Sequence, residues 1–185
     1  MNKNKFIRRI PNTLTLINMS LGLAAVLFII QTEHRQKAVI VPILIILGGI
    51  ADFFDGYLAR KLKVVTSMGK QLDSFADIIT FGIAPICLVN YLVPDGHMIL
   101  IIVSSLLFIL AGAWRLARYN LNDFSSHFLG LPITAAGIAL AIYCAAYPYW
   151  HAYLRPSVGA AITGMLIILL AAMMISKKKV KRISV

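Results

Sequence analysis

The sequence predicts an all-α polytopic membrane protein of six transmembrane helices. Three observations predict it. The 185 residues are 59% hydrophobic and only 14% charged, with a mean hydropathy of +0.82, which is far from the mix of a water-soluble domain. Apolar runs of about 18 to 23 residues, the length that crosses a bilayer core, fall at about 14–31, 38–60, 70–92, 98–118, 132–150 and 158–176. With an even number of spans both ends share a side, and that side carries fifteen of the eighteen Lys and Arg residues. The positive-inside rule then places both termini in the cytoplasm, in a multi-pass protein of the cell membrane. The six runs use nearly the whole chain, so residues 1–185 are expected to form one membrane domain with short loops. The net charge of +11 sits at one membrane edge, where it attracts anionic lipid headgroups; no nucleic-acid partner is expected.

Residues 1–9 are a polar, basic lead-in. Pro11 suits a helix start, and Asn12 or Thr13 can cap the helix or line its mouth. A basic start followed by an apolar run resembles a secretory signal. This run, however, ends in Gln31-Thr32-Glu33-His34 without a small-x-small cleavage site, so it reads as a retained first span. Asn18, Ser20 and Gly22 are more polarity than a lipid-facing helix tolerates, and the span is expected to face the protein interior. Two readings of Asn18 stay open: helix–helix packing through one buried amide, or contact with a substrate.

The second span is apolar through Leu47, loosens at Gly48-Gly49, and then reads Asp52-Phe53-Phe54-Asp55-Gly56-Tyr57-Leu58-Ala59-Arg60 before Lys61 and Lys63 mark its exit. At about 1.5 Å per residue, Asp55 lies roughly 7 Å and Asp52 roughly 12 Å inside that exit. The third span opens near Gly69 and carries Asp73, Asp77 and Pro85. Four of the seven acidic residues thus fall in two adjacent apolar segments. Each costs a few kcal/mol at membrane depth, which makes them an active-site candidate at the cytoplasmic membrane edge.

If the two segments are antiparallel helices turning near residue 64, Asp55 and Asp73 stand level, as do Asp52 and Asp77. The i,i+3 and i,i+4 spacings put each pair on one helix face. Four oxygen donors facing each other suit a hard divalent cation, Mg2+ or Mn2+, as one ion or two. Without a cation they would repel. Gly56 and Gly69 allow close approach of a ligand or backbone, and Arg60 offers a planar donor fork for phosphate. Acids for metal, glycines for access and an arginine for phosphate describe a metal-dependent phosphoryl site whose lipid substrate keeps its tails in the bilayer.

Val93-Pro94-Asp95-Gly96 is a turn by composition, with Asp95 a turn former. The fourth span ends in Trp114-Arg115-Leu116-Ala117-Arg118-Tyr119-Asn120. Arg115 and Arg118 share a face, either as snorkelling residues of an interfacial belt or as an anion clamp beside the acids. The loop 121–131, with Asn122, Asp123, Ser125, Ser126 and His127, is the longest polar stretch between spans. The fifth span presents a small-residue face through Thr134, Ala135, Ala136, Gly137 and Ala139. The sixth is plain apolar sequence, expected to be the most lipid-exposed or an oligomer contact. Cys87 and Cys144 read as small packing residues, and none of His34, His97, His127 or His151 has a partner at ligand spacing.

The spacing Asp52, Asp55, Gly56, Ala59, Arg60, Gly69, Asp73, Asp77 resembles, position for position, the signature of the CDP-alcohol phosphotransferase family. The resemblance spans essentially the whole chain. It implies an enzyme that moves a phosphatidyl or related group from a CDP-linked donor to an alcohol and releases CMP. By that resemblance Asp52, Asp55 and Asp73 hold the metal on the donor pyrophosphate. Asp77 takes the proton of the acceptor hydroxyl while neighbouring the metal, and Gly56, Ala59, Arg60 and Gly69, with Asp52, seat the CDP group.

Pro11-Asn12-x-Leu14-Thr15-Leu16-x-Asn18-x3-Gly22, Arg115 to Asn120 and Phe128-Leu129-Gly130-Leu131-Pro132 look like the bacterial and archaeal phosphatidylserine synthases of that family. The substrates implied are CDP-diacylglycerol and L-serine. Arg115, Arg118, Asn120 and Asn18 become candidate acceptor contacts, and the expected assembly is a homodimer. A glycerophosphate or inositol acceptor is the alternative within the family. A divalent-cation transporter is the alternative outside it; that reading accounts for the acids but not for Gly56, Ala59 and Arg60.

Overall fold

The computed structural model describes residues 9–31, 36–93, 98–121, 128–176 and 179–180. Within them lie six helices long and apolar enough to cross a membrane: α1 (Ile10–Gln31, its helix beginning at Arg9), α2 (Lys37–Lys61), α3 (Ser67–Leu92), α4 (Met98–Leu121), α5 (Ile133–Trp150) and α6 (Pro156–Ile175). The protein is a helical, multi-pass membrane protein. The basic lead-in, the turn at Pro94–Gly96, most of the polar loop after α4 and most of the basic tail fall outside the described residues. The largest boundary differences from the sequence expectation are starts and ends that reach one turn further into polar sequence. Arg9 and Ile10 precede Pro11 in α1, and α4 continues through Tyr119 and Asn120.

α1 packs chiefly on α2, α4 chiefly on α6, and α5 bridges α2 and α3. The core between them is built from Phe81, Phe108, Ile45, Leu88, Ile133, Leu140 and Ile167, all fully buried. At the end of the bundle opposite the acidic residues, the buried Lys37 ties three helices together. Its Nζ donates to the Ile29 carbonyl of α1 at 2.7 Å and lies 3.9 Å from the centroid of the Tyr91 ring of α3. The ammonium thus satisfies a helix-end carbonyl and a π face at once.

α3 is not one regular helix. Residues Ser67–Asp77 and Ala84–Leu92 are α-helical, and Ile78–Ile83 between them is a π turn in which the Ala84 N–H donates to the Ile79 carbonyl five residues back. Pro85 is the cause that the sequence supplies. It has no N–H for the Phe81 carbonyl, and its ring crowds that carbonyl, so the ladder widens just before it. The Phe81 carbonyl meets α5 at Gly137, where an added Cβ would stand 2.4 Å from it. Gly137→Ala should therefore force α5 off α3 and cost about 1–3 kcal/mol, read as a lowered melting temperature in detergent. Gly82→Ala, whose Cβ would meet nothing nearer than 3.8 Å, is the matched control and should melt near the parent.

Two expectations are corrected. α6 is not the most exposed span: 44% of its apolar segment is buried, against 28% for α1. Its small residues explain this, because Gly159, Ala160, Gly164 and Ala171 lie inward and a Cβ at Gly164 would stand 2.9 Å from Leu100 of α4. In α1 only part of the polar set faces inward. Thr15, Asn18 and Gly22 do, but Ser20 is exposed and satisfies itself on the Leu16 carbonyl at 2.7 Å. After α4, β1 (Phe128–Leu129) pairs antiparallel with β2 (Lys179–Val180). Gly130, at φ +70°, then lets Leu131 N–H reach the Met173 carbonyl at the end of α6 at 3.0 Å.

Candidate active site

The register of the acidic residues is set by the α2–α3 connection. α2 ends with Lys63 at φ +55°, its N–H on the Arg60 carbonyl at 3.2 Å, and Val64 N–H on the Ala59 carbonyl at 3.0 Å. These two bonds close the helix end in a left-handed cap, which a lysine occupies here in place of the usual glycine. Thr66, in extended conformation, then caps α3 by accepting from Gly69 N–H at 3.0 Å. The chain reverses within Leu62–Thr66, and the acidic faces of α2 and α3 are brought together.

One carboxylate oxygen from each of Asp52, Asp55 and Asp73 lies within 4.8 Å of the others. Ligands of one hard cation stand at most about 4–5 Å apart at bond lengths of ~2.1–2.5 Å, so the three are close enough to close on one such ion. Asp73 Oδ1 is buried without a hydrogen-bond partner, as a group awaiting a cation would be. The fourth carboxylate of the expected set, Asp77, stands one turn further along α3, 7% exposed, with its Oδ1 unpartnered and within electrostatic reach of Asp52, Asp73 and Asp55.

The nearest positive charge to reach Asp77 comes from α4. Arg115 is 6% exposed and interacts electrostatically with Asp77; its guanidinium carbon is 4.8 Å from the Tyr119 ring centroid, and its Nε has no hydrogen-bond partner. A residue snorkelling to the membrane surface would be wet, and Arg115 is not. Arg118 is half-buried beside it. Asn120 is exposed and donates to Ser74 Oγ at 3.0 Å, beside Asp73. Asn18 is fully buried one turn below Thr15 and packs where Gly48 and Thr80 leave room; its main-chain carbonyl accepts from Thr80 Oγ1 at 3.0 Å, and its side-chain amide has no hydrogen-bond partner.

A cavity of about 270 Å³ opens beside the triad toward the α2–α3 turn, walled by α1, α2, that turn and the start of α3. Asp55, Gly56, Ala59, Arg60, Gly69 and Asp73 line it, and Asn18 does not. The Arg60 guanidinium folds over Gly56, where a Cβ would stand 3.4 Å from it. A Cβ at Gly69 would stand 3.2 Å from Asn12 Oδ1. Asn12, Thr15, Thr66 and Lys70 complete the polar lining. Of these the sequence marked only Asn12 as a lining residue.

Two further contacts escaped the sequence reading. Thr15 Oγ1 of α1 donates to Asp55 Oδ2 at 2.7 Å, and Thr134 Oγ1 of α5 donates to Asp52 Oδ2 at 3.2 Å. Hydroxyls inside apolar spans are a visible signal, but nothing in the sequence says which carboxylate lies 40 or 82 positions away.

A carboxylate triad, with Asp55 buried and Asp52 and Asp73 half-buried, beside a cavity bearing an arginine and two glycines is the kind of arrangement a metal-assisted phosphotransferase site requires. Residues 8–177 match the family model described as CDP-alcohol phosphatidyltransferase, and the chain belongs to that family of phosphatidyltransferase enzymes. It is 36% identical over 139 residues to a CDP-diacylglycerol--serine O-phosphatidyltransferase of Bacillus subtilis, covering 75% of this chain and 76% of that one. It is 35% identical over 159 residues to the protein of that name in Methanocaldococcus jannaschii, covering 86% and 70%. An archaetidylserine synthase of Methanothermobacter thermautotrophicus is 33% identical over 137 residues, covering 72% and 57%.

Proposed function

We propose that this enzyme transfers the phosphatidyl group of CDP-diacylglycerol to the hydroxyl of L-serine, giving phosphatidylserine and CMP. The observation that carries the reading is the triad of Asp52, Asp55 and Asp73, the last two of which line the Arg60-bearing cavity; the relatives named above supply serine as the acceptor. A divalent cation held by the triad, Mg2+ or Mn2+, would neutralise charge on the donor pyrophosphate. Arg60, Gly56, Ala59 and Gly69 seat the CDP group. Asp77 takes the proton from the serine hydroxyl as its oxygen bonds to the phosphatidyl phosphorus, and the bond from that phosphorus to the CMP oxygen breaks. Were a second ion bound, Asp77, whose Oδ1 is unpartnered, would be the carboxylate available to hold it. CMP release from CDP-diacylglycerol, with and without serine, tests this; release that serine does not stimulate but glycerol 3-phosphate does would move the acceptor assignment.

The same reading assigns the serine carboxylate to Arg115, supported by Arg118, because Arg115 is dry, faces Asp77 and has an unmade donor. A hydrogen bond to a charged group contributes about 1.5–3 kcal/mol, so Arg115→Gln should raise the serine KM roughly ten- to a hundredfold with donor KM unchanged. Equal weakening for donor and serine would instead mark Arg115 as a phosphate contact. Asn120 orients α4 on Ser74 beside this site, and Asn18 supports it from below. The charge asymmetry favours the cytoplasmic leaflet of the cell membrane for the site, with both termini cytoplasmic. Residues 1–185 act as one domain, and a homodimer is the proposed assembly.

A further inference from the structure

The carboxylates of α2 are not free to choose how they meet a cation. Asp55 Oδ2 receives the Thr15 hydroxyl at 2.7 Å and Asp52 Oδ2 the Thr134 hydroxyl at 3.2 Å. Thr15 is 4% exposed and also lies 3.1 Å from the Pro11 carbonyl. It has one proton, and the shorter contact to a carboxylate is the stronger use of it. In both aspartates, then, one oxygen is engaged by a hydroxyl from a helix outside the α2–α3 hairpin. Each of the two offers one oxygen to the shared site.

That arrangement discriminates between cations. Ca2+ takes six to eight oxygens at about 2.3–2.6 Å and gains from carboxylates that bind through both oxygens, whereas Mg2+ requires an octahedron at about 2.0–2.1 Å and takes one oxygen per carboxylate. Outer hydrogen bonds of this kind fix ligand orientation, and losing one typically costs roughly 10- to 100-fold in metal affinity. We infer that Thr15 and Thr134 are positioning residues that hold Asp55 and Asp52 to one-oxygen coordination, and so select a small octahedral divalent cation over Ca2+. The inference rests on the triad being a cation site, as in the proposed function.

The test uses the full chain in detergent or nanodiscs without lipid donor. Mn2+ binding is read from the electron-paramagnetic signal of unbound ion, and Ca2+ from its displacement of Mn2+. In Thr15→Val and Thr134→Val, which keep shape and remove the hydroxyl, the preference for Mn2+ over Ca2+ should fall roughly tenfold or more. Thr15→Ser and Thr134→Ser should restore it. Val variants with the parent's preference, Ser variants that behave as Val, or equal loss for both ions would each overturn the inference. Thr134 is only half-buried, so Thr134→Val carries the test if Thr15→Val does not yield folded protein. Failure of the underlying reading looks different: the parent itself would bind no Mn2+, or Asp73→Asn would bind it as well as the parent.

Discussion

Asp73→Asn is expected to lower CMP release by at least about 10³-fold, because metal-borne stabilisation of charge on the transferred group amounts to several kcal/mol and each ~1.4 kcal/mol is a decade in rate. Asp73 is the cleanest of the three triad positions to change. Asp52 and Asp55 also anchor hydroxyls of α5 and α1, so their loss disturbs packing as well as charge. Asp73 Oδ1 has no protein hydrogen bond to lose, and asparagine keeps its size. The variant should fold as the parent does and fail to bind Mn2+. Full turnover by metal-stripped protein in EDTA would sink the metal assignment altogether.

The architecture and the triad were legible in the sequence for a specific reason. Membrane spans announce themselves by length and apolarity, and acids are so costly there that their position alone marks a site. Helical periodicity then pairs residues three and four apart, which is why Asp52 with Asp55, and Asp73 with Asp77, could be placed on facing surfaces. The level-rung expectation paired Asp77 with Asp52, and in the folded chain Asp52 is the first of the charged groups that act on Asp77. What periodicity could not give is the cation that reaches Asp77 from α4, Arg115. Nor could it give contacts between distant spans: Thr15 and Thr134 looked like ordinary small polar residues, and α6 looked like a lipid-facing helix because the inward stripe of Gly159, Ala160 and Gly164 is apolar. Asn18 illustrates the limit from the other side. Both of its open readings predict burial, which the structure shows, with the side-chain amide unpartnered and outside the cavity lining.

Asp77→Asn is expected to abolish transfer while leaving donor binding nearly intact. The triad that the proposed function assigns to the donor pyrophosphate does not include Asp77, and the cavity beside it is lined by residues of α1, α2, the α2–α3 turn and the start of α3, without Asp77. Asp77 instead sits toward α4, within electrostatic reach of the buried Arg115, where an acceptor carboxylate held by that arginine would bring its hydroxyl close. A neutral amide there cannot take a proton, and loss of a positioned general base costs roughly 10²- to 10⁴-fold. Transfer to serine should fall by that amount at saturating donor, with the dissociation constant for CDP-diacylglycerol and the Mn2+ affinity changed by less than about threefold. The split separates the base from the metal ligands, because Asp73→Asn removes metal binding and transfer together. An Asp77→Asn protein that no longer binds Mn2+ would return Asp77 to the metal set and require another proton acceptor. The other carboxylates of the cluster are Asp52, Asp55 and Asp73, and the first two already accept a threonine hydroxyl.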